Sequence, residues 1–139
     1  MIINLQRKVK FDLATVRAFA EALPENIDEA RASVFGVAFV SDRRMKELNS
    51  TFRGKDSITD VLSFPFKAEA FEPEQNNLGD IVISAEQAAK QAAENGLALE
   101  IEITQLILHG VLHLYGYDHE TDDGEMNALE LELRDKLRI

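Results

Sequence analysis

The 139-residue sequence has no cysteine, three prolines and only three histidines. Without thiols it can form neither disulfides nor a zinc site built from thiolates, and the absence is compatible with a reducing cytoplasm without establishing it. No uninterrupted apolar run approaches the ~18–20 residues of a membrane span, and the first ten residues lack the apolar region of a signal peptide. No membrane association is expected. Repeats and low-complexity tracts are also missing. What remains is ordinary for a globular domain, with 45% hydrophobic and 29% charged residues, and reads as one domain over residues 1–139.

A net charge of −10 argues at first against nucleic acid, because phosphate binding draws on lysine and arginine. The charge is unevenly spread. Residues 1–67 hold 11 of the 15 basic residues against 9 acidic ones, about +2, and residues 68–139 hold 4 against 16, giving −12. A basic surface can therefore be assembled from the first half, with Arg7, Lys8, Lys10, Arg43, Arg44, Lys46, Arg53 and Lys55 as contributors. Each of these, taken singly, is also an ordinary solvated charge.

The hydrophobic pattern alternates between strands and helices. Residues 1–6 read as a short strand and 12–22 as an amphipathic helix closed by Pro24. Ala32–Val40, rich in β-branched and aromatic residues, reads as a buried strand. Ser41 is a good N-cap for a helix over 42–51, followed by a polar loop from Phe52 to Ser57 around Gly54. Thr59–Phe64 reads as a strand ended by Pro65, residues 67–78 as a loop containing Pro73, and Asp80–Ser84 as a strand whose serine caps a helix over 85–95 that Gly96 ends. A largely apolar helix over 100–114 and a carboxy-terminal helix over 124–137, with Met126, Leu129, Leu133 and Leu137 at helical spacing, complete the chain. The expected fold is α+β, a mixed sheet of about four strands packed by helices.

All three histidines fall in His109-Gly110-Val111-Leu112-His113-Leu114-Tyr115-Gly116-Tyr117-Asp118-His119. Residues four apart on a helix share a face, so His109 and His113 can address one ion, and Gly116 can turn the chain so that His119 joins them. Three neutral nitrogen ligands suit zinc or another late transition ion and leave a coordination position open for chemistry. Asp118, Glu120, Asp122 or Asp123 could instead close the sphere.

The same spacing occurs in metzincin proteases, where the residue after the first histidine is a glutamate acting as general base. Here it is Gly110. Glycine moves no proton, which disfavours proteolysis, and a mid-helix glycine costs about 1 kcal/mol relative to alanine. Its presence implies a close approach to the backbone, by a neighbouring helix or by substrate.

Two further segments place polar residues in or beside apolar strands: Arg53 leading into Thr59-Asp60-Val61-Leu62-Ser63-Phe64, and Leu78-Gly79-Asp80-Ile81. Singly they are turn residues or hydrogen-bonded side chains. Together with the histidine segment, the chain length and the start of the last helix from Met126 to Glu130, they make the chain resemble the YbeY family of bacterial ribosomal-RNA maturation factors. Ile58 departs from the family pattern, which has proline before the threonine.

The resemblance implies one zinc ion bound through His109, His113 and His119 in a cytoplasmic endoribonuclease specific for single-stranded RNA. Such an enzyme acts in 16S ribosomal RNA 3′-end maturation and ribosome quality control, with the ribosome or small-subunit proteins as partners. Arg53 would bind the scissile phosphate with its planar fork of donors, the alternative being a salt bridge to Asp56 or Asp60. Asp80 and Asp118 are candidates to orient imidazoles. Phe52, Tyr115 and Tyr117 are candidates to stack on bases or to fill the core. Two other readings compete with this one: a peptidase-like metallohydrolase, and a non-catalytic assembly factor whose metal only fixes a turn.

Overall fold

The computed structural model describes residues 1–27, 33–66, 77–117 and 124–139. Four strands and five helices follow one another as β1 (Ile2–Asn4), α1 (Leu13–Asn26), β2 (Val34–Val40), α2 (Asp42–Arg53), β3 (Val61–Pro65), β4 (Asn77–Ser84), α3 (Ala85–Asn95), α4 (Leu99–Leu114) and α5 (Glu125–Leu137). Local chemistry sets most of these boundaries. The Ser41 and Ser84 hydroxyls accept hydrogen bonds from the backbone N–H groups of Arg44 and Gln87, satisfying donors that the first turns of α2 and α3 leave without helical partners. Asp12 does the same for α1, and the hydroxyl and N–H of Thr15 hold its carboxyl below the usual carboxylate range.

The strands form one sheet in the order β1-β2-β4-β3, with the first three parallel and β3 antiparallel to β4. This is the α+β mixed sheet that the sequence pattern implies. Side chains alternate between its faces. Phe35, Val37 and Phe39 of β2 and Ile81 and Ile83 of β4 join the main core with residues of α1, α3, α4 and α5. Val40, Leu62, Phe64 and Val82 face the other way, against Met45 and Leu48 of α2. Helix α4 is the spine of the main core, with Ile103, Ile107, Leu108 and Leu112 fully buried, and it packs on β3, β4, α1, α3 and α5.

Two glycines let backbone elements close on one another. A Cβ at Gly110 of α4 would stand 2.9 Å from Cδ1 of Ile81, so the glycine seats α4 directly on β4. The close approach inferred for this residue is thus made by the sheet, and not by a neighbouring helix or by substrate. Gly79 has a φ of 128°, and a Cβ there would run into the Phe64 carbonyl and the Phe66 N–H. It allows β3 and β4 to meet where Pro65 pairs with Gly79.

Both of these strands and two of the helices differ from expectation at their ends. Helix α1 continues through Pro24 to Asn26, because a proline in the last turn forfeits a single hydrogen bond and the Ile27 N–H closes the turn on the Pro24 carbonyl at 3.3 Å. Pro65 lies within β3, as an edge strand permits, and β4 begins three residues before Asp80, at Asn77. Phe52 and Arg53, expected in a loop, form the last turn of α2, which Gly54 then ends with a left-handed φ of 67°. No single helix among the described residues is long and apolar enough to cross a membrane.

Candidate functional site

His109 and His113 lie one turn apart on α4, and their Nε2 atoms converge to 3.0 Å with the rings edge to face. Helix α5 fixes the first of them. Glu130, 5% exposed, presents both carboxylate oxygens to Nδ1 of His109, at 3.1 and 3.3 Å. An ionised carboxylate only accepts, so in this contact Nδ1 of His109 is the donor, and in the neutral ring that leaves the Nε2 lone pair toward His113. Behind Glu130, Nη2 of Arg134 donates to the same Oε1 at 3.4 Å.

This donor set suits a late transition ion. Two imidazole nitrogens bound to one tetrahedral zinc at ~2.0–2.1 Å stand about 3.3–3.4 Å apart, within a few tenths of an ångström of the separation found here. A ligating histidine whose other ring nitrogen donates to a carboxylate is the arrangement that fixes tautomer and ring orientation at such centres. Among the described residues no group of three His, Cys, Asp or Glu side chains converges. His119 and Asp118 lie outside the described residues, as do Glu120, Asp122 and Asp123. After α4 the chain turns at Gly116, which adopts a φ of 103°, and the Tyr117 N–H donates to the Leu112 carbonyl at 3.1 Å.

The polar residues of β3 and its approach serve the frame around this pair. The Ser63 hydroxyl donates to the Gly110 carbonyl at 3.3 Å, tying β3 to α4 beside His109. Asp60 accepts from the Val61 N–H at 2.8 Å and from Nε2 of Gln91 at 3.1 Å, which joins the same strand to α3. Asp80 does not reach His109 or His113. It projects from β4 on the face of Val82, away from α4, close to where a Cβ of Gly36 would stand. One residue of register separates it from Ile81, and that step reverses its face.

Arg53 ends α2 on the opposite side of the sheet from α4, next to Phe52, whose exposed ring sets its edge on Phe64 of the edge strand β3. The structure does not bring Arg53 into contact with the histidine pair. Neither does Arg53 pair with Asp56 or Asp60; Asp56 faces Lys46 at 3.8 Å. The eight cations named above as contributors to a basic surface divide into two groups. Lys8, Arg43, Arg44 and Lys46 are engaged by Glu86, Glu47 and Asp56, whereas Arg7, Lys10, Arg53 and Lys55 form no ion pair among the described residues. Tyr115 and Tyr117 pack against the main core, which leaves Phe52 as the exposed aromatic of the three.

Glu130 and Arg134 were not singled out by reasoning from sequence, yet a signal is present. Met126, Glu130, Leu133 and Leu137 follow a four-three-four spacing, so an acid stands in the apolar stripe of α5. A carboxylate at such a position needs a buried partner.

Fold and site together define a class: a small α+β domain whose buried central helix presents convergent imidazoles held from the following helix. The family model described as Endoribonuclease YbeY matches residues 1–138, and the chain belongs to that family. An endoribonuclease YbeY of Nautilia profundicola is 55% identical over 98 residues, covering 70% of this chain and 68% of that one. The protein of the same description from Helicobacter pylori strain 26695 is 46% identical over 131 residues, covering 94% of this chain and 86% of its own. The solution structure of a Thermotoga maritima protein superposes with a TM-score of 0.63 at 30% identity, over 99% of this chain and 92% of the other.

Proposed function

We propose that this chain is a zinc-dependent endoribonuclease that cuts single-stranded RNA, with His109, His113 and His119 as ligands of one ion. The observation that carries the reading is the 3.0 Å convergence of two Nε2 atoms, one of them held in place by a buried carboxylate. Membership of a family described as endoribonucleases supplies the substrate class. When bound, the ion contributes Lewis acidity toward a phosphoryl oxygen and lowers the pKa of water to about 7.

The chain's own side chains have separable roles in this proposal. Glu130 holds the His109 proton at Nδ1 and so keeps Nε2 available as a donor. Arg53 binds a phosphate of the RNA strand away from the ion, with its planar fork of donors; its exposure and the absence of an ion pair among the described residues leave its five donors for that task. Phe52, adjacent and 62% exposed, offers a ring face on which a base can stack. On the same reading the substrate is the 3′ end of 16S ribosomal RNA, met on the small ribosomal subunit in the cytoplasm, as the family resemblance implies.

Peptide hydrolysis fits less well. No carboxylate follows His109, and the space at Gly110 is filled by Ile81, so the base of the metzincin arrangement has no counterpart there. The test is incubation of the purified chain with labelled single-stranded RNA. Cleavage should be lost in His113→Ala and after chelation, should fall in Arg53→Ala at limiting RNA, and zinc should restore it to the chelated protein. Cleavage that survives in a His109→Ala/His113→Ala variant would overturn the proposal.

A further inference from the structure

We infer that Arg134 is a positioning residue for the histidine pair. By holding the Glu130 carboxylate against Nδ1 of His109, it makes metal affinity a property of α5 as well as of α4. This rests on the metal-site reading above. Oε1 of Glu130 accepts from both sides, from Nδ1 of His109 at 3.1 Å and from Nη2 of Arg134 at 3.4 Å. The two contacts act on a side chain with three rotatable torsions. The second anchors it to its own helix one turn further along.

Burial separates this pair from an ordinary helix-surface contact. Exposed ion pairs at this spacing contribute little because solvent screens them, but Glu130 is almost wholly enclosed, and its oxygens need protein donors. The guanidinium also gives something up to be there. Among the described residues Nε of Arg134 is buried with no hydrogen-bond partner, an arrangement that native structures seldom keep without a reason. Reaching Glu130 is the reason that this geometry offers. Loss of an outer partner of a ligating histidine typically lowers metal affinity ~10–100-fold, and Arg134 stands one contact further out, so the low end of that range is expected.

The test uses the full chain as Arg134→Met, Arg134→Gln and Arg134→Lys. Zinc affinity is read by competition with a chromophoric chelator, and the His109 tautomer by nitrogen–proton NMR of the metal-free protein at pH 8. With only three histidines the spectrum is readily assigned. Wild type should show the Nδ1–H form of His109. Arg134→Met and Arg134→Gln should bind zinc about 10-fold more weakly and show a mixture of tautomers, and Arg134→Lys should recover much of both. Should Arg134→Met fail to fold, Arg134→Gln, which is polar and neutral, decides. Wild-type zinc affinity together with an unchanged tautomer in the neutral variants overturns the inference. A wild-type protein that binds no zinc would instead sink the metal-site reading, and the tautomer measurement would still decide the role of Arg134.

Discussion

Gly110 lies against Ile81 so closely that a Cβ on the glycine would stand 2.9, 3.0 and 3.1 Å from three atoms of the isoleucine side chain. Overpacking of this kind costs about 1–3 kcal/mol, while replacing a mid-helix glycine by alanine returns up to ~1 kcal/mol of helix propensity. Gly110→Ala should therefore be destabilised by about 1–2 kcal/mol in urea unfolding. Combining it with Ile81→Val, which removes one of the opposing methyls, should recover part of the loss. Equal additive losses in the double variant would show that the contact is not the cause.

Arg53 separates binding from folding. It is exposed and carries no ion pair among the described residues, so Arg53→Ala should move unfolding free energy by less than about 0.5 kcal/mol. RNA binding should weaken by about 1–3 kcal/mol, and cleavage at limiting RNA should fall with it. The salt dependence of RNA binding should flatten by roughly one unit of logarithmic slope.

Gly79 is a structural counterpart. Its φ of 128° and the backbone of Phe64 and Phe66 beside it leave no place for a side chain. Gly79→Ala should cost more than about 1 kcal/mol from backbone strain alone, and the clash adds to it. Thermal unfolding within a degree of wild type would contradict the assigned register of β3 on β4.

Ion coordination distinguishes an enzyme from a scaffold. X-ray absorption of the zinc-loaded protein should show three imidazole ligands and one solvent-exchangeable oxygen if a position is open to chemistry. A carboxylate from residues 118–123 completing a closed four-ligand sphere would favour a structural metal, and RNA cleavage should then be absent as well.

Local signals were the most legible in the sequence. Ser41, Ser84, Gly54, Gly96 and Gly116 each act within a few residues of themselves, so capping and turn chemistry could be read directly. Pro24 and Pro65 misled because tolerance of a proline depends on whether its missing N–H was needed, which a last turn and an edge strand decide. Asp80 stands one residue of register away from the face that meets α4, and a strand's face is set by its sheet partners. The partnership of His109 with Glu130 spans 21 positions; the pattern on α5 marks Glu130 as buried but does not say which residue it meets. Sheet order is non-local in the same sense, since β4 inserts between β2 and β3.

Helix α4 carries the two imidazoles on the element that the sheet and three other helices enclose. In a hydrogen-exchange experiment its amides belong with the last to open, at a free energy near that of global unfolding. The histidine pair thus rides on the most protected part of the chain. Partial loosening elsewhere, at β1 or the end of α2, should leave the two nitrogens in register, and on heating their geometry should be lost only when the domain itself unfolds.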